Sequence, residues 1–122
     1  MTDREIDALI AEHYFGWVWD ETNGTRLLIP PEGDKRRVWA SMWDEEGRPD
    51  YLPEYSTNIS DAWQVVDKMK SNGWYALIAE AEKTGVCFDS NLHDETVTHD
   101  CDSIPKAICL AALKAVGAEI DD

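Results

Sequence analysis

The stretch Trp74-Tyr75-Ala76-Leu77-Ile78-Ala79-Glu80-Ala81-Glu82-Lys83-Thr84-Gly85-Val86-Cys87-Phe88, followed by Glu95-Thr96-Val97-Thr98-His99-Asp100-Cys101, decides the fold class. Residues 74–82 predict a strand, because alternation puts Trp74, Ala76 and Ile78 on one face and Tyr75 and Leu77 on the other. Lys83-Thr84-Gly85 is short enough for a turn, and Val86 to Phe88 begins a returning strand. After a polar loop over 89–94, residues 95–101 predict a third strand, with Val97, His99 and Cys101 on one side and Thr96 and Thr98 on the other. Such short connections join antiparallel neighbours, since a parallel crossover needs a dozen or so residues. The stretch reads as an antiparallel meander.

A helix is predicted on each side of it. Upstream, residues 58–72 place Ile59, Ala62, Trp63, Val66 and Met69 at helical spacing. Asn58 suits the N-cap, where its side-chain oxygen can take a backbone N–H of the first turn. Lys68 and Lys70 suit the negative end of the helix dipole, and Gly73 can take the left-handed conformation that ends a helix. Downstream, residues 103–116 start at Ser103 with Pro105 in the first turn, where a missing N–H costs nothing. Their stripe of Ile108, Ala111, Ala112 and Ala115 is broadened by Leu110 and Leu113, which predicts a helix buried on much of its surface. Further upstream, residues 2–17 open with Thr2 and Glu5 as a capping box. Ile6, Leu9, Ile10, His13 and Trp17 form the expected inner face, and Gly16 closes the helix.

Between the first two helices the pattern is weaker. Asn23-Gly24 is a tight-turn signal. Thr25 to Ile29 predicts a strand ended by Pro30-Pro31, and Val38 to Trp43 is a second, aromatic-rich strand candidate before the polar turn 44–50. A hairpin and a long irregular excursion both fit. The fold class is therefore α+β, a layered sandwich of three helices and an antiparallel sheet in the order α-(β/β)-α-β-β-β-α. It forms a single domain over 1–122 with a variable excursion at 18–52.

The 122 residues suffice for one core. With 43% hydrophobic and 30% charged residues, the composition is that of a globular chain rather than a disordered one. No apolar run approaches the ~20 residues a spanning helix needs. Met1-Thr2-Asp3-Arg4-Glu5 is acidic where a signal peptide is basic, so a cytoplasmic protein is expected. Three cysteines, Cys87, Cys101 and Cys109, then read as free thiols. The formal net charge of −14, from 25 acidic and 11 basic residues, argues against direct nucleic-acid binding, which requires cations to neutralise phosphates. It argues equally against anionic membranes and permits a partner with a basic surface.

Three segments together resemble one family. They are Ile6-Asp7-Ala8-Leu9-Ile10-Ala11-Glu12 running on to Gly16-Trp17, then Pro53-Glu54-Tyr55-Ser56-Thr57-Asn58-Ile59-Ser60-Asp61-Ala62-Trp63, and finally Pro105-Lys106-Ala107-Ile108-Cys109 continuing to Ala115. In order and spacing the chain resembles the phage ABA-sandwich domain family, small phage and prophage proteins with layered α/β/α folds. The resemblance implies that fold and a place in an infected or lysogenic bacterium. It supplies no catalytic residues.

No residue pattern adds them. His99 and Cys101 stand two apart in one strand, with Cys87 a candidate neighbour, but no Cys-x-x-Cys pair or recognised His spacing is present, so neither metal nor cofactor is expected. A Cys87–His99 dyad, Ser56 and Ser103 lack any nucleophile-elbow surroundings, so the chain reads as non-enzymatic. The candidate binding surface is Trp39 and Trp43, beside Asp44, Glu45 and Glu46, with Tyr55 as a further aromatic. Exposed aromatics ringed by acids suit a basic protein surface. The expectation is an accessory protein that inhibits a host protein, such as a defence factor, in its sharper form as a nucleic-acid mimic. Alternatives are sequestration of a nucleotide signal, with Trp39, Trp43 or Tyr55 stacking on a base and Lys35-Arg36-Arg37 on phosphate, and a minor enzymatic activity. Self-association is compatible with the sequence.

Overall fold

The computed structural model describes residues 2–22, 24–33, 43–80, 84–90, 95–101 and 103–118; for 22, 75–80, 84–90 and 95–101 the backbone alone is described. The elements in chain order are α1 (Asp3–Tyr14), β1 (Val18–Thr22), β2 (Thr25–Ile29), α2 (Ile59–Ser71), β3 (Tyr75–Glu80), β4 (Thr84–Ser90), β5 (Glu95–Cys101) and α3 (Ile104–Ala115). The described residues form an α+β protein, with three helices and antiparallel strands.

Each helix is bounded by local chemistry. At α1, the Thr2 hydroxyl accepts from Glu5 N while the Glu5 carboxylate accepts from Thr2 N, so two first-turn donors are satisfied reciprocally. At α2, the Asn58 side chain accepts from Asp61 N at 3.2 Å. Its C-terminus closes with Gly73 N donating to Lys70 O and Trp74 N to Met69 O, both at 3.0 Å, with Gly73 at φ +93°. The α3 terminus repeats this with Gly117 N to Lys114 O and Ala118 N to Leu113 O. Ser103 occupies the N-cap of α3 without a side-chain cap bond, so its predicted capping role is not realised.

Seven consecutive residues of α3, Ala107 to Leu113, are buried. At 100° per residue this run covers the whole circumference, so α3 must be enclosed on all sides. It packs on β4 and β5 in one direction and on α1 and α2 in the other. Strands β3, β4 and β5 form an antiparallel sheet in that order, with Leu77 opposite Cys87 and Cys87 opposite Thr98. β4 begins at Thr84, inside the turn expected at 83–85, because the ladder continues through Gly85 opposite Ala79. β1 and β2 form a separate hairpin with Trp19 opposite Leu28.

Three sequence expectations about faces are corrected. α1 ends at Tyr14, not Trp17. Gly16 at φ +76° turns the chain out of the helix, and Trp17 enters the core from the following loop while its N–H donates to Ala11 O. His13 is exposed, and Asp7, Ala11 and Tyr14 are buried in its stead, so the inner face of α1 is turned relative to the expected one. On α2, Ile59 and Trp63 are 43% and 47% exposed, while Ala62, Val65, Val66 and Met69 are fully buried. The stripe is centred on Val65 and Met69, which leaves position 63 on its rim. No helix among the described residues is long and apolar enough to cross a membrane.

Candidate functional site

The site begins with how the loop after the hairpin is held. Asp44 Oδ1 accepts from Glu46 N and Arg48 N, both at 2.9 Å, and Asp44 Oδ2 accepts from Arg48 Nε at 2.7 Å. These bonds wrap residues 44–48 into a tight turn, closed by Gly47 N to Asp44 O and Asp44 N to Arg48 O. Slight burial pushes the Asp44 carboxyl up, but the Arg48 and Glu46 bonds outweigh it and hold the group below the ordinary carboxylate range. The turn docks on β2 through Leu28 N donating to Gly47 O at 2.9 Å. Gly47 sits at φ +83°, and a Cβ there would lie 2.0 Å from Arg26 O, so the approach requires glycine.

The rest of the loop is tied to α1. The Arg4 guanidinium donates to Leu52 O at 2.9 Å, reaches Pro49 O and Pro53 O at longer range, and pairs with Asp7 at 2.9 Å. Asp7 is fully buried and also accepts from Ser56 N at 2.8 Å. Burial pushes its carboxyl above the ordinary range, against the opposing pull of Ser56 and Arg4. Ser56 Oγ donates to Asp3 O.

Between these anchored pieces runs an open cleft of about 340 Å³. One wall is the side of α1 that carries Glu5, Ala8, Leu9 and Glu12. Opposite stand Trp19 and Arg26 of the hairpin, then Glu46 and Arg48 of the turn. The Arg26 guanidinium lies 4.3 Å above the Trp19 ring, a cation–π stack. The hairpin register explains it, since Arg26 is the diagonal neighbour of Trp19 on one face. Glu5 is engaged in its capping box, and Arg48 is paired with Asp44. A second open cleft of about 450 Å³ adjoins the first across Arg48 and is bordered by Trp43, Asp44, Asp50 and Glu54.

The sequence-predicted candidates separate under this geometry. Trp43, Asp44, Glu45 and Glu46 belong to the loop that forms both clefts, with Glu45 and Glu46 exposed. Trp43 is half-buried, edge-on to Tyr51 at 6.4 Å and bridged to Pro49. Asp44 is committed to its turn rather than free for a ligand. Tyr55 is corrected outright: it is 1% exposed and stacked on Phe15 at 5.0 Å, so it is a core residue with no face for a base or a partner. Trp39 and the Lys35-Arg36-Arg37 cluster lie outside the described residues. Of the other side chains considered, Cys109 is buried in α3, where desolvation and the nearby Asp7 push its thiol well up, which suits a packing role. In the β4–β5 ladder Cys87 is paired with Thr98, while His99 is paired with Val86. No group of three or more potential metal ligands occurs among the described residues.

Trp19, Arg26 and Glu12 are not among the binding candidates the sequence offers, and Glu5 is read there only as a capping residue. The signal for the first two was present. Asn23-Gly24 fixes a two-residue hairpin, and counting outward from it places Trp19 diagonal to Arg26.

Comparison with known proteins gives one family and one fold. A family model described as the phage ABA sandwich domain matches residues 8–113. The crystal structure of a phage protein from Bacillus cereus ATCC 14579 is similar, with a TM-score of 0.64 and 23% identity, covering 99% of this chain and 93% of that one. At that identity the likeness concerns the fold alone. No curated protein matches the chain.

Proposed function

The chain belongs to the phage ABA sandwich domain family, and from that premise we propose that it is a non-catalytic accessory protein that binds and inhibits a host protein with a basic surface. The observation that carries this reading is the pair of adjoining clefts along α1 and the loop 43–54. Six carboxylates and three arginines border them, with Trp19 and Trp43 at their margins. A surface with an excess of one charge and aromatic anchors suits a protein partner of opposite charge, where complementary fields speed encounter and aromatics supply contact area. The net charge of −14 extends the same field over the molecule. Cytoplasmic action in an infected or lysogenic bacterium belongs to this reading.

Nucleic-acid mimicry is its narrower form and draws less support. A phosphate row is uniformly anionic, whereas here Arg4, Arg26 and Arg48 stand among the acids. The nucleotide-sequestering alternative loses Tyr55 as a stacking surface. Of the nucleophile candidates, Ser56 suits structural work, since its Oγ donates to the Asp3 backbone carbonyl.

The test is affinity capture from host lysate by the wild type and by a Glu45→Lys/Glu54→Lys variant, across a salt series. The expected result is a captured protein that the variant loses and that elutes as ionic strength rises, because screening shortens to about 3 Å at 1 M salt. Equal capture by both forms at all salt concentrations would end the proposal.

A further inference from the structure

We infer that the cleft between α1 and the β1–β2 hairpin is the seat for an arginine side chain of the partner, an inference that rests on the basic-partner reading and makes it specific. Three observations converge on a guanidinium. The first is charge. Arg48 is neutralised by Asp44, and Arg26 is engaged with the Trp19 ring. The Glu12 and Glu46 carboxylates, on opposite walls, have no hydrogen-bond or ion-pair partner among the described residues. The cleft therefore has acceptors left over for a cation.

The second is shape and polarity. Ala8 and Leu9 give one wall an apolar patch between Glu5 and Glu12. A long basic side chain lays its methylene stem on such a surface while its charged head reaches the acids beyond. The third is that the site already demonstrates the contact. Trp19 carries a guanidinium at 4.3 Å, supplied from within the chain by Arg26. Arg26 is itself exposed on the hairpin near its turn, so it can swing away when a partner's arginine arrives. Arg26 acts as an intramolecular occupant of the ring face. A planar guanidinium suits the site better than an ammonium, because it stacks on the indole and pairs with carboxylates in two-point geometry.

The experiment titrates the full chain with three short labelled peptides of alternating glycine and, respectively, arginine, lysine or citrulline, followed by fluorescence anisotropy at low ionic strength. The arginine peptide is expected to bind about threefold tighter than the lysine peptide, the margin a partly exposed cation–π stack provides. The neutral citrulline peptide is expected not to bind. Glu12→Gln/Glu46→Gln should weaken the arginine peptide about fivefold, as loss of two exposed ion pairs implies. Arg26→Gln should tighten it, since the competing guanidinium is gone. An anion site would respond the other way, so ATP binding that Arg26→Gln abolishes would overturn the inference. So would equal affinity for the arginine and lysine peptides, no binding of the arginine peptide, or indifference to Glu12→Gln/Glu46→Gln. Urea midpoints matching the wild type show that these surface variants remain folded. If Glu45→Lys/Glu54→Lys abolishes host capture while the cleft variants leave peptide affinity unchanged, only the arginine seat fails. If host capture is unaffected but the peptide ranking holds, only the host-inhibitor reading fails.

Discussion

Replacing Gly47 with alanine tests whether the acidic turn is built onto β2 or merely lies near it. The added Cβ would sit 2.0 Å from Arg26 O and 3.1 Å from Arg26 C, both backbone atoms that cannot rotate away. A positive φ alone costs a Cβ-bearing residue about 1–2 kcal/mol. Relieving the clash requires the turn to lift, which breaks the Leu28 N to Gly47 O bond and leaves a donor behind in the hairpin, at about 1–3 kcal/mol. The expected total is about 3 kcal/mol, or a fall in Tm on the order of 10 °C. Gly24 provides the control. It has nearly the same φ, +77°, but nothing lies within 4 Å of its Cβ position, so Gly24→Ala carries the conformational cost alone. Urea denaturation of both variants, read from the midpoint at constant slope, gives the difference. If Gly47→Ala and Gly24→Ala agree within about 0.5 kcal/mol, the turn is not docked as described. If they differ as expected, Gly47→Ala should also weaken the arginine peptide, because Glu46 and Arg48 move with the turn.

Three further outcomes follow from the interior and its rim. The Asp7 carboxyl is raised by burial, so between the ordinary carboxylate pKa and its raised value the folded state holds a proton that the unfolded state has released. Stability contributed by Asp7 is therefore full below about 3.8 and declines as pH rises through the raised value. Asp7→Asn should flatten that part of the stability–pH curve, by up to about 1.4 kcal/mol per pH unit, in urea titrations at a series of pH values. Tyr14→Phe should cost about 1 kcal/mol in thermal unfolding, because the Tyr14 hydroxyl donates to Ala112 O in the buried α1–α3 contact. Trp63→Gln should leave stability within about 0.5 kcal/mol of wild type, whereas Val66→Ala should cost about 1–3 kcal/mol, since only Val66 of the two is buried.

The parts of the fold legible in sequence are those fixed by local chemistry. Thr2 with Glu5, Asn58 and Gly73 set helix ends through bonds within a few residues, and those signals are read directly. What periodicity could not decide was the exact face. Trp63 and Val65 both lie within reach of the α2 stripe, and the sequence pattern favours Trp63. The choice depends on how α3 sits beneath α2, a contact between distant segments. The burial of Asp7 is not legible in the sequence, because its partners Arg4 and Ser56 include one from 49 residues away. Tyr55 failed as a site residue for the same reason: its stacking partner Phe15 lies in a different segment, and exposure is not written in residue type.

The arginines connect the fold to the proposed surface. With 11 cations against 25 acids, which acids remain available to a partner depends on where the cations are used. Arg4 is directed inward, to a buried carboxylate and to the carbonyls of Pro49, Leu52 and Pro53. Arg48 closes a turn through Asp44. Arg26 rests on Trp19. The three guanidiniums are engaged with Asp7, Asp44 and the Trp19 ring, contacts that shape the loop and the hairpin, rather than with Glu12 or Glu46. Folding the loop 43–54 onto α1 therefore uses the nearby positive charge and leaves Glu12 and Glu46, both lining the cleft, without an ion-pair partner among the described residues. A chain that needed its acids only for solubility would gain nothing from walls that set beside an aromatic ring two carboxylates with no ion pair among the described residues. That juxtaposition, more than the overall charge, is what a basic partner would recognise.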